Sequence, residues 1–304
     1  MSGRITENNW SPEATLTWHP SPDQTVYLAY KTGFKSGGYQ AALVNTGTRI
    51  SDLDFNSERV KGFELGAKGQ FLDRRLRLSL TGFAFNFSDL QVNAFDPQRV
   101  TFVVGNAGGL RQRGVELDGN YRASDSLTLR GAVTYVRNRF HDYVGQCYSY
   151  AFPAGSVRAT AVPPPGCSFA TTTSLALQQD NEGKAPARSP DWSGNAGFDY
   201  NVPVDNMTFT ISGDAAYSGS YNASDTFSPA AVQNSFWRFN ASLAVATDDD
   251  HWRLALIGRN LTNKYYLTYA SDRTGGASVP GNLGEQRGVV ARGREILLQL
   301  GYKF

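Results

Sequence analysis

The last ten residues, Glu295-Ile296-Leu297-Leu298-Gln299-Leu300-Gly301-Tyr302-Lys303-Phe304, alternate between apolar and polar side chains. Ile296, Leu298, Leu300, Tyr302 and Phe304 share one face of an extended chain, Glu295, Gln299, Gly301 and Lys303 share the other, and Leu297 is the one exception. This two-residue period is that of a β-strand. A strand whose outer face is wholly apolar and ends on an aromatic is unusual in a soluble domain, but ordinary at the end of a barrel embedded in a bilayer.

The alternation recurs. Trp237, Phe239, Ala241, Leu243 and Val245 oppose Arg238, Asn240, Ser242 and Ala244, while Trp252, Leu254 and Leu256 oppose Arg253, Ala255 and Arg259. Met207, Phe209, Ile211, Ala215 and Tyr217 alternate with Thr208, Thr210, Ser212 and Asp214. Leu127, Leu129, Val133 and Tyr135 do so with Thr128, Arg130 and Thr134, and Val115, Leu117 and Tyr121 with Glu116, Asp118 and Asn120. The second face carries charges and hydroxyls without an apolar majority, so it cannot be the core of a sandwich. It suits a watered or plugged lumen with lipid on the apolar side.

Composition excludes other classes. A mean hydropathy of −0.38 leaves no apolar run long enough for a membrane helix, but a barrel strand needs only every second residue apolar. Net charge of +2 provides no basic stripe for nucleic acid. Residues 1–9 lack the apolar core of a signal peptide.

Short turn clusters at 20–23, 72–75, 123–125, 203–206 and 248–250 alternate with long polar connections near 36–56, 139–189, 219–234 and 263–290, and a shorter one around 97–110. In an up-and-down meander this places all turns at one end and all long loops at the other. About eleven strands are predicted, at 13–19, 24–34, 57–71, 76–96, 99–122, 126–140, 190–202, 207–218, 235–247, 251–262 and 291–304. The apolar phase breaks once, from Leu76, Leu78 and Leu80 to Phe83, Phe85 and Phe87, which implies a bulge or a strand leaving the bilayer. Because eleven antiparallel strands cannot close without a parallel pair, the chain is expected to be part of a barrel.

Several segments resemble the TonB-dependent outer-membrane receptors. Tyr27-Leu28-Ala29-Tyr30-Lys31-Thr32-Gly33-Phe34 resembles the family's strand running into a GF-containing loop, and Glu58…Glu64-Leu65-Gly66-Ala67-Lys68 its E-x5-E-x-G-x-K hairpin. Asn106-Ala107-Gly108 with Gly114-Val115-Glu116-Leu117 resembles the next hairpin, and Gly258-Arg259-Asn260-Leu261-Thr262-Asn263-Lys264-Tyr265-Tyr266 the signature before the last strand. The resemblance implies an all-β, antiparallel up-and-down transmembrane barrel, of which residues 1–304 are the C-terminal half of a 22-stranded wall, without plug, TonB box or signal peptide. It implies residence in the cell outer membrane and energy-coupled uptake of a scarce nutrient, a ferric siderophore or other iron complex. The implied partners are outer-membrane lipid, TonB through the absent N-terminal part, and the barrel-assembly machinery acting on Tyr302 and Phe304. The competing readings are a passive porin-like or secretion-type barrel, and a soluble sandwich or propeller.

Ligand contacts are expected from loop aromatics and cations: Tyr39, His141, Tyr148, Tyr150, Arg158, Tyr221, Arg273 and Arg287, because anionic iron chelates favour Arg and planar aromatic partners. Glu116, Asp118, Arg130, Asp214, Arg238, Arg253 and Arg259 face the lumen and a plug, with most expected to form cross-strand ion pairs. Cys147 and Cys167 are disulfide candidates within one long loop. His19, His141 and His251 show no metal-ligand spacing, and no phosphate loop or nucleophile elbow is present, so no metal, cofactor or enzymatic activity is expected. Trp18, Trp192, Trp237 and Trp252, near strand ends, are expected to form interfacial girdles.

Overall fold

A computed structural model describes residues 5–40, 54–96, 101–150, 152, 155–249, 251–272 and 286–304. Eleven strands form one sheet in strict sequence order, and every adjacent pair is antiparallel. They are β1 (Ala14–Ser21), β2 (Gln24–Lys35), β3 (Glu58–Phe71), β4 (Leu76–Asp96), β5 (Thr101–Arg122) and β6 (Leu127–His141), followed by β7 (Trp192–Val204), β8 (Met207–Ser218), β9 (Phe236–Thr247), β10 (Trp252–Arg259) and β11 (Glu295–Tyr302). Among the described residues β1 does not pair with β11, so the sheet has two open edges.

The register puts the alternating apolar residues on a single exposed face. Ile211 stands opposite Leu243, Leu243 opposite Leu256, and Leu256 opposite Leu298. Leu243 is 55% exposed and Leu298 72%, which for side chains of this kind is tolerable only against lipid. Two aromatic girdles bound the band. At the turn end Trp252 lies 4.6 Å from Tyr302, and at the loop end Tyr135 lies 4.7 Å from Trp192 and Tyr217 5.0 Å from Trp237. The ten-residue step from Met207 to Tyr217, tilted as barrel strands are, spans roughly 25 Å of bilayer. Leu297, out of phase with its neighbours, meets Ile257 on the opposite face.

Two expectations are corrected. No bulge separates Leu80 from Phe83, because β4 keeps continuous register with β3 and β5 from Leu76 to Ser88. The three phenylalanines instead turn to the lumen face, where glycines leave them room: a Cβ on Gly114 would stand 2.5 Å from the Phe83 ring, and one on Gly62 2.4 Å from that of Phe85. The outer face of the same stretch turns polar at Asn86 and Ser88, so the strand does leave the apolar band there. Residues 101–110, which fall both in the strand predicted at 99–122 and in the connection expected around 97–110, continue β5 in register with β4, so the strand reading holds and only 97–100 lie between the two strands.

The motif residues act mainly on the backbone. Asn260 takes a positive φ of 47°, its amide group donates to the carbonyls of Lys264 (2.9 Å) and Arg292 (3.1 Å), and its Oδ1 accepts the Lys264 N–H (2.9 Å). Asn263 Oδ1 accepts the Arg294 N–H at 2.9 Å. The two asparagines therefore hold the chain leaving β10 against the chain arriving at β11. Asn106 likewise ties residue 56 to residue 89 by donating to both carbonyls, at 3.0 and 2.7 Å. Glu64 accepts from Tyr27 Oη (2.7 Å) and pairs with Lys31 (3.0 Å), while Gly66 lets the Tyr27 ring lie flat across the strand.

The loop-end connections carry their own structure. Residues Val144–Gln146, Cys167–Phe169 and Leu177–Asp180 form a three-stranded sheet. Cys147 and Cys167 are joined in a disulfide with Cα atoms 5.9 Å apart. Gln179, 2% exposed, donates to the carbonyls of Gln146 (2.8 Å) and Thr226 (2.6 Å), docking this loop onto the next. Ala223, Ala231 and Ala270 form a small core beneath Tyr221 and Leu267.

Candidate functional site

Glu116, Asp118, Arg130, Asp214, Arg238, Arg253 and Arg259 all lie on the face opposite the apolar band. The expectation that most would form cross-strand ion pairs is not met. Only Arg130 does so among the described residues, with Asp199, whose second oxygen accepts Ser212 Oγ at 2.6 Å. The register explains this. Glu116 stands opposite Thr81 and Thr134, Asp118 opposite Ser79 and Ala132, and Arg253 opposite Ala246 and Gly301, so no countercharge stands directly across from any of them.

Where β8, β9, β10 and β11 approach the loop end, three of the seven converge on one cavity of 360 Å³. Asp214, Arg238 and Arg259 line it together with Asn240, Asn260, Tyr266, Arg292 and Glu295. Asn240 Nδ2 donates to Asp214 at 2.7 Å. Glu295 lies opposite Arg259 in register but pairs instead with Arg292 at 3.2 Å. Both acids are thus engaged, and Arg259 makes no ion pair among the described residues. Arg238 stacks 5.6 Å above the Tyr266 ring, which itself lies 4.2 Å from the Phe236 ring. Such an array of guanidinium groups and aromatic planes can hold a flat or multiply charged anion through bidentate hydrogen bonds and stacking. Tyr266 was within the signature quoted from sequence, whereas Arg292 and Asn240 carried no sequence signal that set them apart.

Of the loop residues singled out from sequence, Tyr221 is the one that reaches this region, lining an adjoining 310 Å³ cavity with Arg188, Arg238 and Tyr266. Its hydroxyl donates to the Leu267 carbonyl at 2.5 Å, and burial raises its pKa above the ordinary phenol value. Arg158 is occupied elsewhere, its guanidinium 3.6 Å above the Phe169 ring within the disulfide loop. Tyr150 packs on Phe152 at 5.2 Å, and Tyr148 donates to the Pro165 carbonyl at 3.0 Å. Tyr39 sits in a two-residue pairing with Asp54–Phe55, and Arg287 lies opposite Ser271 in a hairpin of the last long loop. Arg273 falls outside the described residues.

His141 gathers two carboxylates that sequence spacing did not connect to it. Asp142 Oδ2 lies 3.0 Å from Nε2 and Glu182 Oε2 3.3 Å from Nδ1, so the acids take opposite ring nitrogens. Glu182 also accepts the Asp142 backbone N–H at 2.7 Å, and this bond, more than the imidazole, holds its carboxyl below the usual range. One donor atom from each of the three groups lies within 4.8 Å of the other two, a spacing that suits a cation as well as a hydrogen-bonded cluster. Its geometry is that of a clasp closing the base of the disulfide loop.

The eleven-stranded antiparallel wall agrees with the fold that known proteins share with this chain. A family profile described as "TonB dependent receptor-like, beta-barrel" matches residues 2–261. The chain belongs to that family. Members of this family are outer-membrane β-barrels, and the sheet of this chain shares their fold. In sequence the chain is 26% identical over 135 residues to the metal-pseudopaline receptor CntO of Pseudomonas aeruginosa, covering 44% of this chain and 18% of that one. In fold it is similar to the siderophore receptor PiuA of Acinetobacter baumannii, with TM-score 0.65, 18% identity, and 97% of this chain against 36% of that one. It is also similar to the ferric yersiniabactin receptor FyuA of Yersinia pestis, with TM-score 0.64, 15% identity, and 93% against 35%. The copper transporter OprC gives TM-score 0.63 at 13% identity, with 97% against 39%. The chain therefore spans little more than a third of these solved relatives and under a fifth of CntO.

Proposed function

We propose that the receptor contributes the C-terminal half of the wall of an energy-coupled outer-membrane importer, and that its cargo is an anionic metal chelate, foremost a ferric siderophore. The observation that carries this reading is the placement of Arg238 and Arg259 with Tyr266 around one lumen cavity, both acids of that cavity being already engaged. A chelate with a net negative charge and planar metal-binding groups matches such a surface. The relatives named for metal or siderophore uptake support the class of cargo. The two open edges of an eleven-stranded sheet support the half-wall, since unpaired backbone is not tolerated in lipid and eleven further strands would close a 22-stranded barrel.

Uptake by a Gram-negative strain that lacks its own siderophore receptors tests this, with the receptor expressed together with any plug and coupling segment its gene encodes. Iron from an anionic catecholate or hydroxamate chelate is expected to enter only when the energy supply is intact, and Arg238→Ala with Arg259→Ala is expected to lower chelate affinity by about tenfold to a hundredfold. Energy-independent passage of small ions with no chelate affinity would reject the importer in favour of a passive pore.

A further inference from the structure

His141 closes β6, and three charged groups crowd its imidazole. Nε2 lies 3.0 Å from Asp142 Oδ2 and 3.2 Å from the Arg111 guanidinium, while both oxygens of Glu182 stand 3.3 Å from Nδ1. No protonation state satisfies all of them. A proton on Nε2 meets Asp142 but points at a guanidinium that is itself a donor, and a bare Nε2 accepts from Arg111 but sets its lone pair against a carboxylate oxygen. On the other side of the ring there is no conflict, because ionised Glu182 can only accept and Nδ1 carries the proton it needs. Glu182 is fixed from outside the ring as well: its carboxylate accepts the Asp142 N–H at 2.7 Å, and its own N–H donates to Asp180 Oδ1 at 2.8 Å. Asp142 takes a left-handed φ of 52°, for which Gly108 makes room, since a Cβ there would stand 2.2 Å from the Asp142 carbonyl oxygen. His141 is partly exposed and both acids are exposed, so the cluster is open to ions from solution.

We propose that His141 Nε2 and the Asp142 carboxylate are the two protein ligands of a divalent transition-metal ion, with zinc as the reference ion and water completing its shell. Two ligands each about 2.1 Å from one ion, and roughly at right angles about it, are about 3.0 Å apart. That is the separation of Nε2 from Oδ2. The ion takes the place beside Nε2 that Arg111 holds, and its double charge serves the lone pair and the carboxylate together. Glu182 is the positioning residue: by accepting the Nδ1 proton it fixes the tautomer that leaves Nε2 bare, the carboxylate–histidine–metal arrangement of zinc sites. An imidazole ligand selects zinc, nickel or copper over calcium and magnesium, which take oxygen shells. Asp142 and Glu182 are 40 residues apart, so the bound ion joins the end of β6 to the return of the disulfide loop. It stiffens a loop that already rests on its neighbour through Gln179 and Thr226. The site shares no residue with the cavity of Asp214, Arg238 and Arg259 and is independent of what the lumen carries.

Zinc titration by calorimetry tests this. The receptor is expressed together with any plug and coupling segment its gene encodes, purified in detergent, stripped with chelator and kept oxidised so that no thiolate competes. One more zinc ion is expected in the parent protein than in His141→Ala, and that ion is expected to persist in an excess of calcium. Asp142→Asn keeps a residue that tolerates the left-handed backbone and is expected to lose the same ion. Should His141→Ala fail to fold, Asp142→Asn carries the comparison alone. Glu182→Ala is expected to weaken zinc binding about tenfold to a hundredfold without abolishing it. Arg111→Ala separates an ion site from a cluster that merely ties the loop: removing the competing cation is expected to tighten zinc binding by about tenfold, whereas a plain ion-pair cluster binds zinc in neither form. Zinc is also expected to slow proteolysis within 142–189 in the parent protein and not in His141→Ala. An unchanged zinc count in the folded His141→Ala or Asp142→Asn variants, displacement by calcium at equal concentration, or weaker zinc binding by Arg111→Ala would each overturn the proposal.

Discussion

Single side chains in this wall are judged by which solvent they meet. Leu243 sits mid-strand on the lipid face between Ile211 and Leu256, and Ser242 points the other way between Ser212 and Ile257. Leu243→Arg is therefore expected to destabilise the inserted protein by about 2–4 kcal/mol, while Ser242→Arg is tolerated. The folded fraction in lipid vesicles, scored by heat-modifiable gel migration, checks this, and equal losses for both would refute the face assignment. Gly66 is constrained differently, because a Cβ there would stand 2.2 Å from the Tyr27 ring. Gly66→Ala is expected to cost about 1–3 kcal/mol by displacing that ring and the bond it donates to Glu64, measurable as a lower denaturant midpoint. These roles were legible to different degrees. The lipid-facing leucines follow from a period of two, whereas the need for glycine at 66 depends on a tyrosine 39 residues earlier whose position only the register supplies.

At the scale of elements, the strands answer to local pattern and the loops do not. All eleven strands lie where the alternation places them, because each has to show one apolar face to lipid whatever its neighbours do. β4 is instructive. Its phase change was visible in sequence, but whether it marked a bulge or a change of face depended on Gly62 and Gly114 in the adjacent strands. The loop of 142–189 owes its form partly to a disulfide that its two cysteines announce, and partly to contacts no pattern announces: the Gln179 bonds and the clasp at His141. Reducing Cys147–Cys167 is expected to free about 3 kcal/mol of loop entropy and to expose this loop to protease while the wall remains intact. Mass mapping of the first cleavages, with and without reductant, reports the outcome. The clasp carries a pH dependence whose sign is set by the lowered pKa of Glu182. Its contribution is present above the unfolded carboxyl value of 4.5 and is lost as the pH falls through the lower folded value. The protection factor of the Asp142 amide, in which the intrinsic pH dependence of exchange is divided out, should thus fall as the pH drops below the unfolded carboxyl value of 4.5, and Glu182→Gln should remove that acid limb.

For the molecule as a whole, the open edges dominate. The backbone groups of β1 and β11 that face away from the sheet have no partners among the described strands, and in a bilayer each unmet group is costly. The 304-residue chain expressed alone is accordingly expected to insert poorly or to pair edge to edge, and refolding yields with and without the remaining strands of the wall would show it. Residue order by itself determined the strand count, the up-and-down topology, the lipid face and the two girdles, because every one of those follows from alternation and turn spacing within a single strand or hairpin. Tertiary structure decided which lumen charges meet. It left Glu116, Asp118 and Arg253 facing hydroxyls and small residues, and gathered Arg238, Arg259 and Tyr266 around one cavity. It also brought Glu182 back beside His141 and Asp142 at the base of the disulfide loop. Cross-strand contact depends on register and on loops that return from far along the chain, and neither is written in the neighbourhood of the residues it joins.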